Sequence, residues 1–218
     1  MGLAVGALTR LMGTAEVAAA ERSALIGALQ RLGPGAPTLC EGWTTDDLLA
    51  HLVVRERDVA GAPGILVPAL AGWTQRRMEV AKSQGYDANL ARLRRAPGPL
   101  ARLMPATASV AEYFVHTEDA RRANGDEPRP PDAAREEVLW KWLGIIGRLF
   151  VRRVSAGVQI RTEDGRDRTL KKASATVALT GAPSELLLYL SGRRSAARVS
   201  ISGAADAAAA LKRADLSL

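Results

Sequence analysis

Apolar residues in this chain recur at three- and four-residue intervals as far as about Val151 and then change to alternation. That change of period demands a helical part followed by a mixed strand-and-helix part. Leu25, Ile26, Leu29 and Leu32 predict a helix over Val17 to Leu32, stopped by Gly33, Pro34 and Gly35. Thr44 reads as the N-cap of a second helix, with Asp47 three residues on and Trp43 placed to staple onto Leu48. Leu48, Leu49, Leu52 and Val53 share one face of that helix, which is expected to run to about Val59 before Gly61 and Pro63 break it. Further helices are expected over Val67 to Gln84, Ala106 to Ala123 and Ala133 to Val151, and prolines 97, 99 and 105 interrupt the stretch Arg92 to Pro105.

Past Arg152, alternation predicts strands over Val154 to Arg161, Ala173 to Leu179 and Ala197 to Ile201, with helices over Ser184 to Leu190 and Ala205 to Ala214. The expected class is α+β, a helical unit over residues 1–151 joined to a smaller α+β unit over residues 152–218.

At 218 residues the chain is long enough to bury a core without staples. Its single cysteine, Cys40, excludes an intramolecular disulfide framework. Met1 to Ala20 lacks the unbroken apolar block of a secretory segment and runs into Glu16 and Glu21, so a reducing cytoplasm is expected. No stretch approaches the roughly 20 apolar residues that cross a bilayer. The formal charge is +7, and with lysine only at 82, 141, 171, 172 and 212 the other 25 of the 30 basic residues are arginine. That bias, with abundant alanine, matches a GC-rich genome such as an actinobacterium's. The doublets Arg94 and Arg95, Arg152 and Arg153, and Arg193 and Arg194 suit phosphates, but aromatic content is only 4% and no basic run is interleaved with stacking rings. A solvated basic surface is therefore favoured over nucleic-acid binding.

The chain has two histidines. His116 follows Glu112 by four residues on one predicted helix, which sets the two side chains about 40° apart and one turn up. Carboxylate and imidazole at this spacing fit a divalent metal, and His51, on the capped second helix, is the other imidazole available. Two plainer readings stand beside this one. Glu112 and His116 share a strip with Ser109, Ala120 and Ala123, away from the apolar stripe of Val110, Phe114 and Val115, and such a strip can be a solvated surface pair. His51, beside Leu48 and Arg55, can be a satisfied core-edge residue.

Three runs, Pro37 to Thr44, Asp47 to Glu56 and Glu112 to Ala123, resemble an actinobacterial, metal-binding subgroup of the mycothiol-dependent maleylpyruvate isomerase and DinB-like superfamily, and the likeness extends from about Ala18 onward. The resemblance implies a DinB-like four-helix bundle whose metal is held by a histidine on the second helix and a Glu-x-x-x-His pair on a later one. Those roles fall on His51, Glu112 and His116. The run Gly181 to Arg193 resembles a sterol-carrier-like α+β domain. DinB relatives commonly carry a third histidine where this chain has Glu112, and residues beyond the metal ligands match poorly, so maleylpyruvate itself is not implied.

The expected activity is that of a thiol-dependent transferase or isomerase. One divalent metal, zinc by default with iron or nickel also suited to the donors, would activate the thiolate of mycothiol toward a small electrophile. Arg55 and Arg121 are candidates to hold an anionic substrate, each equally readable as structural or solvated. Asp119 reads either as support for a ligating imidazole or as a partner for Arg122, and Cys40 reads as an apolar filler in preference to a nucleophile. The alternative is a non-enzymatic binder with a structural metal, whose strand residues Val158, Ile160, Val177, Leu179, Val199 and Ile201 line an apolar cavity or fill an ordinary core. Either a monomer or a homodimer is compatible with this composition, with no nucleic-acid or membrane partner.

Overall fold

A computed structural model describes residues 13–58 and 71–216. Among the described residues, seven helices precede the sheet: α1 (Thr14–Leu32), α2 (Thr45–Arg57), α3 (Ala71–Lys82), α4 (Tyr86–Arg94), α5 (Pro99–Leu103), α6 (Ala106–Ala123) and α7 (Ala133–Phe150). The strands are β1 (Gly157–Arg161), β2 (Asp167–Lys171), β3 (Thr176–Thr180) and β4 (Ser200–Gly203), with α8 (Pro183–Leu190) before β4 and α9 (Ala205–Arg213) after it. The α+β class expected from the period change is what the chain adopts. The far end of the second helix at Val59, the start of the third at Val67 and the lead-in before residue 13 lie outside the described residues.

The proline-interrupted stretch resolves into the end of α4 and the short α5, with Pro99 in the first turn, where its missing N–H costs nothing. α5 lies against α2 so closely that a Cβ at Gly98 would overlap the Glu56 carbonyl. Thr44 opens α2 as expected, donating both its N–H (2.9 Å) and its hydroxyl (2.8 Å) to Asp47 Oδ2.

The sheet order is β2-β1-β3-β4, antiparallel at both outer pairs and parallel between β1 and β3. β2 was not expected. Only its Leu170 is buried, so its sequence carries no alternation, and charged residues on an edge strand are how sheets avoid pairing with neighbours. The legible signal is the turn before it, Asp164 and Gly165, where Gly165 takes φ 88°.

One apolar core runs through both parts. Val110 and Phe114 of α6 and Leu139 and Leu143 of α7 pack in the same cluster as Val158, Ile160, Val177 and Leu179 of the sheet and Leu186 of α8. A second cluster holds α1, α2, α4 and α6 together through Leu25, Leu29, Leu48, Leu52, Leu93 and Tyr113. α6 is thus sandwiched, and the strip carrying Glu112 and His116 faces protein rather than open solvent.

Candidate metal centre

α2 and α6 bring His51, Glu112 and His116 together. Glu112 Oε1 lies 3.1 Å from His51 Nε2 and 3.4 Å from His116 Nε2, and one ligand atom from each of the three residues falls within 4.8 Å of the others. Donors bound at about 2.1 Å in a tetrahedral shell sit about 3.4 Å apart, so these separations suit neighbouring ligands of a single ion. Both histidines are buried, whereas the Glu112 side chain keeps 24% of its surface, which leaves one side of the cluster open. The ring centroids of His51 and His116 are 5.2 Å apart, and Trp43, from the loop ahead of α2, packs on His51 at 5.3 Å.

A second layer holds His116 from behind. Asp119, fully buried one turn further along α6, faces His116 Nδ1 at 3.0 Å, which fixes that nitrogen as the donor and turns Nε2 toward Glu112 and His51. Asp119 is itself gripped on both oxygens by Arg193, from the turn after α8, at 2.8 and 2.7 Å. The loop before α2 is tied to the same point. Leu39 N–H donates to the Asp119 carbonyl at 3.1 Å, and the Cys40 thiol lies 3.2 Å from Asp119 Oδ2 and 3.2 Å from Arg193 Nη2.

Charges follow from these partners. Burial opposes ionisation of Glu112, but the Arg55 guanidinium, with Nε 3.1 Å from Oε1, and the two imidazoles hold it well below the usual carboxylate range. Burial pushes the pKa of His51 down, and the pull of Glu112 does not restore it. His116 is also buried, yet Asp119, Cys40 and Glu112 overcome that and raise it well above an ordinary imidazole. Asp119 is lowered to about 2, because the charges on His116 and Arg193 outweigh its burial. The two histidines therefore differ in character: burial disfavours the charged form of His51, and His116 is the more basic.

Of the other sequence candidates, Arg55 reaches the cluster, but through Glu112. Its Nη1 is buried with no partner. Arg121 is not brought there. It turns to Asp126 at 3.5 Å and to the Glu127 carbonyl at 3.1 Å beyond the end of α6. Asp119 takes the imidazole-supporting role and not the pairing with Arg122, which binds Glu118 and Glu185 instead. Cys40 is half-buried among polar partners, so the apolar-filler reading gives way. Arg193 was missed. It stood in the sequence as half of a basic doublet, and nothing local ties it to a carboxylate 74 residues earlier.

The described helices include none long and apolar enough to cross a membrane. No curated protein matches the chain in sequence. Among solved structures, the mycothiol-dependent maleylpyruvate isomerase superposes with a TM-score of 0.60 at 16% identity, covering 87% of this chain and 91% of that one. A histidine-to-alanine variant of the same enzyme gives a TM-score of 0.61 at 15% identity, covering 88% and 93%. At such identities the likeness speaks for the fold. The model of the mycothiol maleylpyruvate isomerase N-terminal domain matches residues 15–144, more than half the sequence, and the chain belongs to that family.

Proposed function

We propose that His51, Glu112 and His116 hold one divalent metal, zinc by default, and that the protein is a thiol-dependent transferase or isomerase using mycothiol or a similar small thiol as cosubstrate. The observation that carries this is the convergence of two imidazole nitrogens on one carboxylate oxygen at 3.1 and 3.4 Å, at the edge of the core and with one side open. Bound there, a metal would supply a thiolate at neutral pH without a dedicated base. The chain's own residues do the rest. Asp119 and Arg193 set the His116 ring, Arg55 keeps Glu112 ionised and aimed, and Trp43 covers one side of His51. The two imidazoles and one carboxylate also suit ferrous iron or nickel. The free Cys40 thiol accords with a reducing cytoplasm. The apolar-carrier alternative has less support, since Val158, Ile160, Val177 and Leu179 are fully buried in the shared core.

Elemental analysis of protein purified without a metal-affinity column, beside the Glu112→Gln and His116→Ala variants, tests the site. Near-stoichiometric metal in the wild type and loss in both variants is expected, and equal trace metal in all three would refute it. Thiol-dependent turnover that disappears in His51→Ala tests the activity.

A further inference from the structure

The last turn of α2 faces a second cleft, of about 220 Å³, closed by α3 and α4 and containing none of the three proposed metal ligands. Val53, Val54 and Ala81 give it a buried apolar wall, and Val80, 51% exposed, carries that wall to the surface. Three guanidiniums share the lining. Arg77 is answered by Asp58, with Nε 2.6 Å from Oδ2. The other two, Arg57 and Arg92, have no acidic partner among the described residues: Arg92 donates to the neutral Gln84 Oε1 at 2.5 Å and Arg57 to the Ala96 carbonyl at 2.6 Å. Arg57 Nε is also shielded from solvent with no acceptor. The Arg57 stem runs so close to Gly98 that a Cβ there would press on it, and the hydrogen bond to the Ala96 carbonyl orients its head.

We propose that this cleft binds a small organic monocarboxylate, an aromatic or branched short-chain acid. Its apolar body would lie on Val53, Val54 and Ala81, and its carboxylate would accept from Arg57 and Arg92. Two uncompensated guanidiniums disfavour a neutral occupant, and the apolar wall disfavours inorganic phosphate. The volume equals that of roughly seven liquid waters, enough for one ring with a carboxyl group.

Fluorine NMR on the full chain with 4-fluorobenzoate as probe, and 4-fluorobenzyl alcohol as its neutral counterpart, tests the proposal. A single saturable site is expected for the acid, weakened tenfold or more in Arg57→Met and in Arg92→Gln, weakened by salt, and not displaced by the alcohol. Binding should persist in His51→Ala, so this cleft and the metal reading fail separately. No saturable binding, or binding lost in His51→Ala and unchanged in Arg92→Gln, would overturn it. If Arg57→Met does not fold, Arg92→Gln decides the matter, because Gln84 is the hydrogen-bond partner found for its side chain.

Discussion

At the scale of single residues, the histidines differ in what surrounds them. Asp119 is not one of the three proposed ligands and acts through the His116 ring it faces at 3.0 Å, so Asp119→Asn should keep the fold yet lower metal affinity ten- to a hundredfold, measured by competition with a chromophoric chelator. Arg193→Met, which frees Asp119 without altering it, should give a smaller loss in the same assay. The proposed ligands were legible in the sequence because Glu112 and His116 sit one turn apart and only one further histidine exists. Their support was not legible. The contacts of Asp119 with Cys40 and Arg193 span 79 and 74 residues, and spacing rules do not reach that far.

At the scale of elements, the helix that carries Glu112 and His116 is tied to α8 by buried charge. Glu185 of α8 is bound by Arg122 of α6 at 2.7 Å and accepts from Arg198 N–H. Burial would raise its pKa, but Arg122 and that N–H outweigh it and hold the carboxyl below its ordinary value. A depressed carboxylate gives stability that is fully present above its unfolded pKa, about 4.3, and is lost as pH falls through the folded value. Glu185→Gln should therefore be less stable than wild type by about 1–2 kcal/mol near pH 7, and the gap should close below about pH 4, read from urea midpoints against pH. Gly98→Ala should cost about 1–3 kcal/mol, because α5 must retreat from the Glu56 carbonyl, and a lower thermal midpoint would show it. Helices with long apolar stripes were predictable to within a few residues. The edge strand β2 was not, since only one of its five residues is buried and its existence depends on β1 lying beside it.

At the scale of the whole molecule, the change of period near Arg152 marks a change of architecture more clearly than a division of cores. The helical unit over residues 1–151 and the α+β unit over residues 152–218 are offered as a proposal about chain organisation, and their shared apolar cluster sets its terms. A chain ending at Val151 would expose Phe114, Leu139 and Leu143 together. It should lose cooperative thermal unfolding and bind a hydrophobic dye, while the full chain melts in one transition. The grip of Arg193 on Asp119 carries a consequence for heredity. Positions 40, 119 and 193 occupy one physical locus though they are scattered along the gene. In a saturation-mutagenesis library their effects should be epistatic: once Asp119 is lost, further substitution at Arg193 should do little additional harm.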